Sequence, residues 1–184
     1  MKKYFGQFPG GRHFGKEEIK NATDVIKSKS PYRFSGLNLK MYCRKLETKM
    51  AKFVNKKHCL VVNSGTAALH CALHSIGIKK GDEVIVPAYG WSADLMSIVM
   101  MGAIPVIVPV SNDANLDIEK VKKAISSKTK ALIVIHMRGY PCNFSKIKNF
   151  FKIKKIFIIE DCSQCFGGIL NNKKVGNLGD IATM

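Results

Sequence analysis

Apolar residues recur along this chain in two rhythms, and the change between them divides it. In the first part, Ile19, Ala22, Val25 and Ile26 share one stripe at helical spacing, which predicts a helix from about Lys16 to Lys27. A second helix is expected from about Leu39 to Val54, in a polar stretch interrupted by Pro9-Gly10-Gly11, Pro31 and Gly36. From Cys59 onward, short apolar runs alternate with amphipathic stretches. The runs at 59–63 (CLVVN), 83–87 (EVIVP), 104–110 (IPVIVPV), 130–136 (KALIVIH) and 155–161 (KIFIIED) predict strands. Helices are expected from about Thr66 to Ile76, from about Ala93 to Met101, over 116–125 and over 143–152.

Strands that are apolar on both faces and alternate with helices indicate a mostly parallel sheet, covered on each side. Such sheets place their sites beyond the carboxyl ends of the strands. The irregular residues fall there: NSGT (63–66), PAYGW (87–91), HMRGYP (136–141) and EDCSQ (160–164) each follow a strand. Four segments from different parts of the chain therefore converge on one edge of the sheet.

Each segment offers chemistry and a structural alternative. Gly65 lets a ligand approach the backbone where the chain leaves a strand, and the following helix start favours a phosphate, with Thr66 adding a hydroxyl. Ser64 to Thr66 would serve equally as a helix cap. The segment is neither a P-loop, since no lysine follows the glycine, nor G-x-G-x-x-G. A carboxylate such as Asp161 at the end of a buried strand needs a cation or donors, and a protonated pyridine nitrogen would be one such cation. Gln164 could reach a phenolic oxygen of the same ring, while Asp161 could instead cap the next helix. Trp91, the only tryptophan, offers a flat surface for stacking or an ordinary packing residue.

Three further patterns carry less. Cys162 and Cys165 have metal or redox spacing, but no second pair completes a four-ligand zinc site, so no metal is expected. His70 and His74 lie four apart without the glutamate of a zinc-protease motif and are read as polar-face residues. His136 ends a strand beside Arg138 and Gly139 and is placed within the site as a packing or supporting residue.

Composition alters this picture little. The formal charge is +17, with 46% hydrophobic and 23% charged residues. The lysines are dispersed pairs such as Lys56-Lys57, Lys122-Lys123 and Lys173-Lys174, and the arginines are Arg12, Arg33, Arg44 and Arg138. That is a solvated basic surface without a nucleic-acid motif, and no nucleic-acid partner is expected. No apolar run approaches the roughly 20 residues of a membrane span. Met1 to Gly15 does not resemble a secretion signal, and six cysteines without export fit reduced thiols, which places the chain in the cytoplasm.

The motifs VVNSGTAALHCAL, GDEVIVPAYGW, GAIPVIVPV, HMRGYP and IEDCSQCFGG…GNLGD, in this order, resemble the DegT/DnrJ/EryC1/StrS aminotransferases over about Gly10 to Met184. Each motif is weak, but five in register are specific. The resemblance implies an α/β fold, the three-layer α/β/α large domain of fold-type I transferases that depend on pyridoxal 5'-phosphate. Residues 1–55 would form an N-terminal helical segment, and 56–184 an incomplete cofactor-binding domain without the small C-terminal domain. Gly65 and Thr66 would hold the cofactor phosphate, Trp91 would stack on the ring, Asp161 would pair with the ring nitrogen and Gln164 would contact the phenolic oxygen. Ser163 would lie against the ring, with Ser64 and His136 in support. Gly90 stands where the family commonly has threonine, and Asp94 where it has a small or hydroxyl residue.

The family's Schiff-base lysine is expected beyond Met184, so no catalytic residue is assigned within these residues, and the chain alone is not expected to turn over. The implied reaction moves an amino group, typically from glutamate, onto a keto-sugar, often nucleotide-linked, in a homodimer. Two alternatives stay open: a branch of the same family that dehydrates the sugar at C-3, with histidine in place of lysine, and a non-catalytic fragment.

Overall fold

The computed structural model describes residues 13–184; Met1 to Arg12, including Gly10 where the resemblance begins, lie outside the described residues. The chain separates into two units, 1–49 and 50–184. In the first, helix α1 spans Lys16–Lys27, as its periodicity predicts. The stripe that identifies it is not buried, and Ile26 is 75% exposed. The Tyr42 hydroxyl lies 3.2 Å from both Asn21 Oδ1 and Asp24 Oδ2, and Lys40 pairs with Asp24 at 3.2 Å. Helix α2 covers Tyr42–Val54, a turn shorter at its start than expected.

The second unit carries the alternating part of the sequence. Helix α3 (Gly65–Ser75) is followed by β1 (Glu83–Pro87), α4 (Ser92–Met100), β2 (Ile104–Val108), α5 (Ile118–Ala124) and β3 (Thr129–Ile135). Helix α6 (Ser145–Lys154), β4 (Phe157–Asp161), a two-stranded hairpin of β5 (Ile169–Leu170) and β6 (Lys173–Lys174), and β7 (Ile181–Thr183) complete it. Five strands form one parallel sheet in the order β2-β1-β3-β4-β7. Side chains alternate across a strand, so the central strands β1, β3 and β4 each feed two cores. Leu132, Val134 and Ile158 pack with Val121, Ile147 and Phe151 of α5 and α6 on one face. Ile133, Ile135 and Ile159 pack with Leu69, Leu73 and Ile98 of α3 and α4 on the other. The result is the expected three-layer α/β/α arrangement.

Two local expectations are corrected. The apolar run 59–63 is not a strand of the sheet: a strand exists only through its neighbour's ladder, and the sheet ends at β2 and β7. Conversely β7 is a strand that no apolar run announces. Its three residues are placed by β4 and by Asp180, whose Oδ2 accepts the Ile158 N–H (2.8 Å) and whose own N–H donates to the Ile158 carbonyl (2.8 Å).

Candidate active site

The carboxyl ends of β4 and β7 and the amino ends of α3 and α4 enclose a cavity of about 320 Å³. Its walls include Gly65, Thr66, Trp91, Asp161, Ser163 and Gln164, so all five residues singled out for cofactor contact meet there. Leu69, Ala93, Thr183 and Met184 also line it and were not anticipated. Leu69 and Ala93 carry no polar signal, and Thr183 arrives on the unforeseen β7.

At one end, Ser64 caps α3: the Ala67 N–H donates to Ser64 Oγ (3.1 Å). The structural alternative for this serine is therefore realised, and Ser64 does not line the cavity. Capping leaves the first-turn amides of Gly65 and Thr66 without intrahelical acceptors, at the positive end of the helix dipole. A Cβ at Gly65 would meet nothing within 4 Å, so the backbone there is open to close approach. This corner suits a phosphate. Ser64→Ala is expected to lower stability by about 1 kcal/mol, the usual loss for such a cap, read as a small fall in the thermal midpoint.

At the other end, Asp161 is buried, with Oδ1 accepting the Ser163 N–H (2.9 Å). Trp91, 72% exposed, forms an accessible aromatic wall. Gln164 is anchored by its Oε1, which accepts the Arg138 backbone N–H (3.2 Å). Arg138 holds a left-handed conformation (φ 50°, ψ 33°), sparsely populated for a residue with a side chain. Its guanidinium donates to the Tyr89 hydroxyl (2.7 Å) and lies over that ring.

His136 is brought close but faces away. It is fully buried on the opposite side of the sheet from Asp161 and lines no part of the cavity. Its Nδ1 accepts the Cys142 N–H (2.9 Å), which leaves its proton on Nε2, 3.0 Å from Glu160 Oε2. Glu160 is the residue that sequence reasoning left without a role. Its oxygens also accept the N–H groups of Gly176 (2.9 Å), Leu178 (2.8 Å) and Gly179 (2.6 Å). Burial pushes this carboxyl up, but the His136 bond and the glycine amides outweigh it and hold it below its ordinary value. The signal was available: neighbouring residues on a strand point to opposite faces, so Glu160 and Asp161 cannot serve one site.

His136, Glu160 and Cys162 place ligand-type atoms within 4.8 Å of one another. These donors are already committed. Both imidazole nitrogens and both Glu160 oxygens have partners, and burial, reinforced by the Glu160 and Asp161 charges, pushes the Cys162 thiol up.

Cavity size, the open helix start, the buried carboxylate and the aromatic wall fit a small aromatic cofactor that carries a phosphate and a basic ring nitrogen. Known proteins point the same way. A GDP-perosamine synthase of Vibrio cholerae is 38% identical over 143 residues, covering 77% of this chain and 39% of that protein. Among solved structures, the aminotransferase from Psychrobacter cryohalolentis superposes with a TM-score of 0.85 at 30% identity, over 92% of this chain and 42% of that one. GDP-4-keto-6-deoxy-D-mannose-3-dehydratase of E. coli, with bound hydrated PLP, superposes at 0.80 and 30% identity, over 90% and 43%. This chain thus spans about two fifths of these relatives' lengths. The sequence pattern of one family matches residues 13–184 throughout. The chain belongs to the DegT/DnrJ/EryC1/StrS aminotransferase family.

Proposed function

We propose that the protein carrying this chain is a pyridoxal-phosphate-dependent aminotransferase that moves an amino group from glutamate to a keto-sugar, in particular a nucleotide-linked one. The observation that carries this reading is that Thr66, Trp91, Asp161 and Gln164, from three separate segments, wall one cavity. The α3 amides of Gly65 and Thr66 bind the phosphate, and the Trp91 indole packs on the ring. Asp161 holds a proton at the ring nitrogen, Gln164 orients the phenolic oxygen and Ser163 lies against the ring. Bound there, the cofactor supplies an electron sink. The sugar-nucleotide enzymes among the relatives support the substrate class.

Among the described residues, those that line the cavity include no lysine. We therefore infer that these 184 residues alone bind the cofactor reversibly but do not turn over. Trp91 gives the test, because it is the only tryptophan. Pyridoxal phosphate is expected to quench its fluorescence saturably, and Trp91→Phe to abolish the signal. Release of 2-oxoglutarate from glutamate and a nucleotide-linked keto-sugar by the 184-residue chain would contradict the second inference. Absence of any quenching would contradict the first.

A second reading is dehydration of the sugar at C-3, supported by the structural similarity to the E. coli dehydratase. Product analysis of the protein that carries this chain separates the two: an amino-sugar supports transfer, a 3-deoxy-sugar supports dehydration. Tyr140 and Phe166 are large exposed apolar side chains of this unit. They support assembly of the whole protein as a homodimer, which sedimentation of that protein would read as twice the monomer mass.

A further inference from the structure

Asp161 is not alone. Asp94, in the first turn of α4, is 1% exposed; Ala93 beside it lines the same cavity as Asp161, and the Asp161 carboxyl acts on the Asp94 carboxyl. The protein supplies these two carboxyls with very little. The Trp91 N–H donates to Asp94 Oδ2 (3.2 Å), and the Ser163 N–H to Asp161 Oδ1 (2.9 Å). Asp94 Oδ1 is sealed from solvent and has no donor from the protein. The contrast with Glu160 is direct, since that carboxylate has three amides and an imidazole. Two ionised carboxylates side by side in such surroundings repel without compensation, whereas one proton between them provides the missing donor.

We propose that Asp94 holds a proton which it shares with Asp161, and that it is a positioning residue fixing the charge of the carboxylate that faces the cofactor ring nitrogen. With one proton the pair carries a single negative charge, which matches one protonated ring nitrogen. The cofactor half of this statement rests on the function proposed above; the shared proton does not.

The surroundings of Asp94 agree. Helix α4 packs on α3, β1 and β2. Among these, β2 has no titratable side chain, β1 has Glu83 at its opposite end, and α3 has His70, Cys71 and His74. The charge acting on Asp94 is that of Asp161; burial comes first, and together they push the Asp94 carboxyl up to about 7. A Cβ on Gly90 would lie 2.4 Å from Ile135 Cδ1, so it is Ile135 that asks for a glycine there, while Asp94 Oδ2 at 3.5 Å would be at ordinary contact distance.

Carboxyl-carbon NMR of the purified protein, labelled at aspartate and titrated without ligand from about pH 4 to about pH 9, tests this. The Asp94 carboxyl resonance is expected to move in one step near pH 7, and the carboxyl facing it to report the same step through its own chemical shift. Asp94→Asn is expected to remove that step from every aspartate resonance. If every aspartate of the wild-type protein titrates in the ordinary carboxylate range, or if the step survives in Asp94→Asn, the shared proton is refuted. The wild-type titration decides even if that variant does not fold. Adding pyridoxal phosphate is then expected to lower the midpoint by about one unit, a tenfold weaker hold on the proton. An unmoved midpoint, with Trp91 quenching proving the cofactor bound, overturns the positioning role. If the ligand-free step is present but no cofactor binds, the shared proton stands and the aminotransferase reading falls instead.

Discussion

Glu160→Ala is expected to leave no folded protein, or one that unfolds under mild conditions. Four buried donors converge on this carboxylate: His136 Nε2 and the Gly176 N–H on Oε2, and the Leu178 and Gly179 N–H groups on Oε1. Removing an acceptor of this kind leaves buried donors unsatisfied at about 1–3 kcal/mol each, and breaking a buried charged cluster typically costs about 3–5 kcal/mol. Domains of this size are stable by only about 5–15 kcal/mol. Glu160→Gln is expected to be milder, near 2–3 kcal/mol, because one oxygen remains while the new amide faces donors. Urea unfolding followed by circular dichroism reads both; a variant with wild-type stability contradicts the role. The pH dependence has a definite sign. The Glu160 carboxyl is held below its ordinary value, so its contribution is present above about 4.5 and is lost as pH falls through its lowered value. Asp94 acts oppositely. Its carboxyl is raised to about 7, so the stability tied to its neutral form is lost as pH rises toward that value. Stability should therefore fall on the acid side through Glu160 and decline as pH rises from about 4 to about 7 through Asp94, and Asp94→Asn should remove only the second effect.

The same cluster explains a glycine-rich motif whose purpose was hidden in the sequence. Gly176 adopts φ 91°, and a Cβ on Gly179 would lie 2.8 Å from the Ile158 carbonyl oxygen. Only glycine allows the chain to lean over Glu160 so closely and present these amides. GNLGD was visible as a family pattern, but its reason depends on a strand pairing that three residues cannot announce. Strands buried on both faces were legible because each is a continuous apolar run. The same rule misread 59–63, where an equally apolar run joins no ladder of the sheet. The hairpin of β5 and β6 turns through Asn171 and Asn172, both at positive φ (49° and 60°). Asparagine pairs are known to favour that turn, but two-residue strands carry too little pattern to prompt the search. At the site, Trp91, Asp161 and Gln164 were found because strand ends in parallel sheets converge, and Thr66 because a glycine opens the helix it starts, although the run before it is no strand. Asp94 was noticed only as a departure. Its meaning needed the fold, which sets α4 against the strand end that carries Asp161 and which no spacing within the chain encodes.

Asp161→Asn is expected to weaken pyridoxal phosphate binding by roughly 30-fold to several thousand-fold, the equivalent of about 2–5 kcal/mol for losing one partner of a buried charge pair. Asparagine keeps the side-chain shape and an oxygen for the Ser163 N–H, so the substitution removes charge and little else. Titrating the Trp91 fluorescence with pyridoxal phosphate gives the affinity. The fold should respond in the other direction. Removing the Asp161 charge relieves Asp94, whose carboxyl it helps to raise, so stability near pH 8 should increase rather than fall. Weaker binding together with a higher unfolding midpoint therefore separates loss of the ring-nitrogen partner from general damage. Asp94 also limits the effect, because a carboxyl freed from its neighbour's charge can ionise close behind the position that faces the ring. The double variant Asp94→Asn/Asp161→Asn should then bind more weakly than the product of the single effects, as expected where one charge can stand in for the other. Unchanged affinity in Asp161→Asn would mean that this carboxylate does not meet the ring nitrogen, and additive losses would mean that the two acids do not share a task.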